Sequence, residues 1–376
     1  MFDRLPEYPW QQLKPYAALA ASHPGGSVDL SIGSPVDPTP QVIQDALAAA
    51  TNSPGYPTTA GTLELRETVV EWFARRRGVT GLTPEHVMPT IGSKEFISLL
   101  PLALGLGPGD VVVQPEQAYT AYAVGAALCG ATLISADDPA AWPKETKLIW
   151  LNTPNNPTGQ VFDVAQLRER VARARELGAV LASDECYGEL GWEAPWDSER
   201  IPSLLDPRVT EGDLSGLICA YSLSKQSNLA GYRAAFAVAE PAVVKSIVNL
   251  RMHAGMVMPL PIQKAMVAAL RDEAHLVAQK EIYRTRRTQL LQAVRAFGFR
   301  TGHSEAGLYI WATLGEDCWV TVKRMADLGI VVVPGSFYGE NNAQFVRFSI
   351  TATDENIALA AQRLREAVSV IPGKSQ

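Results

Sequence analysis

Between Asp110 and Asp184 the chain alternates short, uniformly apolar runs with longer helical ones, and few architectures accept that order. Strands are expected over 111–113, 131–134, 147–151 and 179–182, with helices over 119–129 and 164–177. Strands that lack polar alternation are buried on both faces, and intervening helices supply the crossovers that parallel strands require. The expected fold class is therefore α/β, a mostly parallel sheet between two layers of helices. In such sheets ligands bind beyond the carboxyl ends of the strands. The residues found there are Tyr119, Asn155-Asn156-Pro157, Asp184, Tyr187 and Lys225.

The flanking sequence follows other patterns. Helices are expected over 13–22, 41–50, 63–77 and 95–104, and a strand begins at Asp29 and turns at Gly33. After Pro241 two helical tracts, 243–256 and 262–297, are broken by Met258-Pro259-Leu260-Pro261. From Gly307 the order becomes strand, helix, strand, strand, helix over 307–312, 318–328, 330–333, 344–350 and 354–368, a small α+β unit. A chain of 376 residues exceeds what one core supports. We expect an N-terminal arm (1–40) that joins a small C-terminal domain (286–376), and a large ligand-binding domain (41–285).

Net charge is −6 with no long basic run, which argues against nucleic acid or an anionic membrane surface as partner. No apolar run is long enough to span a bilayer. The four cysteines make no metal-ligand spacing with the five histidines, so no metal site is expected. Cytoplasmic location is the expectation, since the first ten residues carry neither signal-peptide nor transit-peptide character.

Lys225 stands between apolar runs at 217–221 and 234–239. A lysine held between buried strands loses hydration, which lowers its pKa and makes its amine a nucleophile toward carbonyls. Alone, the Ser-x-Ser-Lys pattern also describes a solvated loop lysine. Its companions change the reading: Ser222 and Ser224 flank it, and Arg233 follows at a distance that suits a phosphate.

Together these motifs resemble the class I/II aminotransferases of the fold-type I pyridoxal-phosphate enzymes, in order and over nearly the whole chain. The resemblance implies a large domain with a mostly parallel sheet, a small α+β domain, and pyridoxal 5′-phosphate as cofactor. It implies Lys225 as the lysine that carries the cofactor and moves the substrate proton. Asp184 is implied as partner of the ring nitrogen, and Tyr187 and Asn156 as donors to the ring oxygen. Gly92, Ser93 and Lys94, at a helix start where free N–H groups favour anions, would bind phosphate with Ser222, Ser224 and Arg233. Lys94 departs from the small residue usual at its position. Tyr119 is the implied stacking aromatic, with Tyr122 as rival because Thr120 replaces a proline common in relatives. Arg347 is implied as the clamp on the substrate carboxylate, with Asn156 beside it and the Gly33 backbone close by. Tyr56 is implied to serve the neighbouring subunit of a homodimer.

The implied activity moves an amino group between amino-acid and keto-acid substrates. Within the family, 55–66 and 91–97 are most similar to succinyldiaminopimelate aminotransferases of bacterial lysine biosynthesis. That similarity implies glutamate as donor and N-succinyl-2-amino-6-ketopimelate as acceptor. Aspartate, alanine or aromatic aminotransferases and a carbon–sulfur lyase on the same fold remain the alternatives.

Overall fold

The alternation builds a seven-stranded sheet. Across it lie, in order, Val87–Ile91, Ala234–Ala239, Leu217–Ser222, Val180–Asp184, Thr146–Asn152, Val111–Gln114 and Thr132–Ser135. The last five are parallel, and Ala234–Ala239 is antiparallel to both its neighbours. Our computed structural model describes Leu5 and residues 9–369. Parts of the expected arm (1–4 and 6–8) and of the expected small domain (370–376) lie outside the described residues.

Both faces of the sheet are covered. Ile149, Leu181 and Cys219 belong to one apolar cluster, whereas Leu148, Trp150, Ala182 and Ile218 belong to another. Adjacent residues on one strand thus enter different cores, as a period of two requires. Val164–Leu177 fits the expected helix, and its ends show why. The amide of Gln166 donates to Asp163 Oδ1 at 2.8 Å and the amide of Asp163 donates to Gln166 Oε1 at 3.0 Å, while Gly178 leaves the helix at φ +61°.

Three expectations change. Val87–Ile91 is a strand the sequence pattern conceals, because Pro89 has no N–H for a ladder. It lies at the sheet edge, with Pro89 opposite Phe236, where proline is tolerated. The tract 262–297 is two helices, Leu260–Arg271 and Ala274–Phe297. Between them Asp272 Oδ2 accepts from the His275 amide at 3.0 Å, a side-chain bond that competes with helix continuation. The strand at Asp29 is short: Val28–Asp29 pairs in parallel with Ile330–Val331. Ser31 then donates its amide and hydroxyl to Asp29 Oδ1, at 2.8 and 2.6 Å, and turns the chain off the ladder.

A second, antiparallel sheet runs Val333–Pro334, Val346–Ser349, Tyr309–Thr313, Arg300–Thr301. Its core includes Leu290, Leu291 and Val294 together with Val28 and Leu30 of the arm. The expected boundary at 285 falls inside the helix Ala274–Phe297. Among the described residues no helix is long and apolar enough to cross a membrane.

Candidate active site

Register brings the chemistry together. Asn152 pairs with Asp184, and Asp184 with Ala220, so two strand ends stand level and the third strand runs two residues further, to Ser222. The turns beyond them line a cavity of about 350 Å³. Gly33 of the arm and Arg347 of the second sheet close it from the other side.

Asp184 ends its strand 6% exposed. Tyr122 donates its hydroxyl to Asp184 Oδ2 and the Cys186 amide donates to Oδ1, each at 3.3 Å, while Asn152 Nδ2 holds the Asp184 carbonyl at 2.9 Å. Burial pushes the carboxyl above its ordinary range, with the neighbouring Glu185 charge adding to it and the hydrogen bonds opposing. No lysine or arginine among the described residues forms an ion pair with it. Tyr122 lies beneath the site, fully buried and stacked 5.1 Å from the Trp150 ring. Tyr119, the implied stacking aromatic to which Tyr122 is the rival, is on the cavity wall.

Lys225 follows the strand Leu217–Ser222, half-buried, and its amine donates to the Gly33 carbonyl. Gly33 has no room for a side chain, since a Cβ there would lie 2.7 Å from Tyr309 Cζ. The Tyr309 and Tyr187 hydroxyls are 3.3 Å apart, and Tyr187 is 6% exposed. Burial holds the Tyr187 phenol well above its usual value.

Arg347 is buried on the strand Val346–Ser349. Nη1 donates to Asn156 Oδ1 at 3.0 Å, Nη2 donates to the Ser31 carbonyl at 2.6 Å, and the guanidinium lies 3.9 Å above the Tyr309 ring centroid. Its Nε has no hydrogen-bond partner, and neither does the buried Tyr338 hydroxyl beside it. A buried guanidinium whose protein acceptors are neutral is arranged for an anion.

The opposite end is also cationic. Gly92 caps the helix Ser93–Ala103 at φ +76°, and a Cβ there would meet Arg233 Cζ at 2.6 Å. Arg233 itself adopts the left-handed region at φ +55°, and its carbonyl accepts from the Gly92 amide at 2.8 Å. Ser222 donates to Ser224 Oγ at 2.8 Å on the adjacent turn. The first helix N–H groups have no intrahelical acceptor, so this end suits a phosphate. Ser93 and Lys94 line the cavity here, Lys94 with an exposed side chain. Tyr56 is fully exposed and is not part of this cavity in its own chain.

The structure adds cavity residues that the sequence reading passes over. Trp10, Ile32, Cys186, Tyr309 and Tyr338 all line it, and Asn152 ends a strand at its floor. Tyr309 carries a weak signal, as an aromatic two residues past Gly307 at the opening of an expected strand. Trp10 carries none, because nothing local tells a proline-rich arm what it covers.

A mostly parallel sheet with a lysine, a carboxylate and an anion cradle at its strand ends defines an enzyme of the pyridoxal-phosphate type. The family model for aminotransferase class I and II matches residues 26–364, and the chain belongs to that family. A 4-dedimethylamino-4-oxo-anhydrotetracycline transaminase of Streptomyces rimosus is 52% identical over 361 residues, covering 96% of this chain and 99% of that protein. An LL-diaminopimelate aminotransferase of Gloeobacter violaceus is 30% identical, covering 97% of each. A solved aminotransferase from Neisseria meningitidis superposes with a TM-score of 0.87 at 28% identity, over 97% of this chain and 98% of that one. The protein is an aminotransferase that uses pyridoxal 5′-phosphate. Its cavity fits the cofactor: a buried carboxylate without an ion-pair partner for a ring nitrogen, an amine, an aromatic wall, and a cationic end lined by Ser93, Ser222, Ser224 and Arg233.

Proposed function

We propose that the protein transaminates α-amino and α-keto acids, with glutamate as donor and N-succinyl-2-amino-6-ketopimelate as acceptor. The observation that carries this reading is Arg347, a buried guanidinium with an unpaired Nε and only neutral protein acceptors. A planar fork of this kind takes a carboxylate in two parallel bonds and fixes the adjacent Cα. The succinylated acceptor is supported by the sequence similarity of 55–66 and 91–97, and by a relative named for diaminopimelate.

When bound, the cofactor supplies an electron sink for the substrate Cα. The residue roles proposed here are those the family resemblance implies, and the placement of these side chains around one cavity supports them. Lys225 would hold the cofactor, and its amine at the cavity is the group that would accept the proton from the substrate Cα. Asp184 would keep a ring nitrogen protonated, Tyr187 and Asn156 would donate to the ring oxygen, and Tyr119 would supply the aromatic wall beside the ring. Gly92, Ser93, Lys94, Ser222, Ser224 and Arg233 hold the phosphate. Arg347, Asn156 and the Gly33 backbone orient the substrate. The exposed Tyr56 reaches the phosphate end of a second subunit, so the working unit is a homodimer.

A second reading rests on the 52% identical relative, whose name describes an oxo group on a tetracycline scaffold. In that case the acceptor is a fused-ring ketone. Both readings are tested by mixing the pyridoxamine-loaded enzyme with a panel of acceptors and following recovery of the pyridoxal absorbance. The succinylated keto acid should exceed pyruvate and phenylpyruvate by roughly tenfold to a hundredfold in specificity constant, the worth of one charged contact of about 1.5–3 kcal/mol. Equal constants overturn the succinylated substrate, and a preference for the fused-ring ketone establishes the second reading.

A further inference from the structure

We propose that Tyr309 is a positioning residue that transmits carboxylate binding at Arg347 to the hydroxyl of Tyr187. This deepens the reading of Arg347 as a carboxylate clamp and rests on it. Tyr309 lies on the strand Tyr309–Thr313, where Trp311 is directly opposite Arg347 of Val346–Ser349. Its ring forms the floor under the Arg347 guanidinium, 3.9 Å from the centroid, and its hydroxyl is 3.3 Å from that of Tyr187. The ring also fills the space a side chain at Gly33 would need, and the Gly33 carbonyl receives the Lys225 amine. One side chain therefore touches the carboxylate clamp, the phenol that faces the cavity, and the backbone on which the lysine rests.

The groups that face Tyr309 are Arg347 from its own sheet, Lys225 from the turn after Leu217–Ser222, Tyr187 and Cys186 from the turn after Val180–Asp184, Tyr119 on the cavity wall, Tyr283 of the helix Ala274–Phe297, and Tyr338 beyond Val333–Pro334. Burial pushes its phenol up, but Arg347, Lys225 and the bond with Tyr187 outweigh burial and leave it below the usual range. Tyr119, Tyr122, Tyr187, Tyr221, Tyr283 and Tyr338 all shift the other way. The bond that lowers Tyr309 is one its oxygen accepts, so the single Tyr187 proton is shared between the Tyr309 oxygen and whatever Tyr187 faces in the cavity. A carboxylate on Arg347 neutralises one of the two cations. The Tyr309 oxygen then accepts more strongly and draws the Tyr187 proton away from the cavity, so Tyr187 becomes a weaker donor toward whatever it faces.

The test uses the holoenzyme and its visible absorbance, titrated with pH in the absence and presence of succinate, an unreactive carboxylate. The native midpoint should move on succinate binding. In Tyr309→Phe the movement should fall to less than half, while succinate affinity by calorimetry changes less than about threefold. A double-mutant cycle guards against a merely structural effect. Once Tyr187→Phe is present, adding Tyr309→Phe should change the succinate-induced movement no further. An unchanged movement in Tyr309→Phe, additive effects in the cycle, or a native midpoint indifferent to succinate overturns the coupling. Arg347→Lys separates the underlying reading: if succinate binds that variant as tightly as the native enzyme, the clamp itself fails, whatever Tyr309 does.

Discussion

Asp184 shows most directly what a site costs the chain that carries it. With no cofactor bound, the buried carboxylate has hydrogen bonds from Tyr122 and Cys186 and, among the described residues, no ion-pair partner for its charge. Its folded pKa lies above the unfolded value of 3.8, so its contribution favours folding in acid and is lost as pH rises through the folded value. Asp184→Asn carries no such charge. The cofactor-free variant should therefore be the more stable protein near neutral pH, by about 1–3 kcal/mol, the scale of a buried unpaired group. The difference should close toward pH 4, and thermal melts across pH measure it. With cofactor added the order should reverse, because only the native carboxylate pairs with a ring cation. A variant that is less stable at every pH would show that Asp184 supports the fold rather than burdening it. Such residues were legible in the sequence because they follow strands: Asn156, Asp184, Tyr187 and Lys225 all stand just past an apolar run, and the sheet register aligns those ends. Tyr309 was not, since its importance comes from a guanidinium on a neighbouring strand and a glycine in the arm.

At the scale of elements, legibility followed local chemistry. Val164–Leu177 could be delimited to the residue because a reciprocal cap and a left-handed glycine mark its ends. Asp163→Ala removes that cap and should cost about 1 kcal/mol in denaturant unfolding without changing turnover. A loss of turnover at unchanged stability would contradict a purely structural role. Val87–Ile91 was hidden for the opposite reason: Pro89 speaks against a strand, and only the edge position in the finished sheet excuses it. The break at Asp272 was missed because helical periodicity continues on both sides of a side-chain bond that periodicity does not register.

For the molecule as a whole, the proposed homodimer makes activity depend on concentration. Light scattering alongside turnover, taken through serial dilution, should show specific activity falling together with the dimer, and Tyr56→Phe should weaken cofactor retention. A fully active monomer would remove Tyr56 from the site. The change of pattern at Gly307 precedes three of the four strands of the second sheet, and the arm expected to join that part of the chain pairs with Ile330–Val331 through only two residues, Val28 and Asp29, which leave no periodic trace.

That small pairing has a consequence for how the protein is made. Val28 and Asp29 find their partners only when Ile330 and Val331 have been synthesised. At typical elongation rates the ribosome needs roughly 15–60 s for the intervening stretch. Through that interval the sheet that bears Lys225 can form, but Gly33 cannot settle under its amine and Arg347 does not yet exist. The nascent chain thus carries the Lys225 amine before the walls that enclose it.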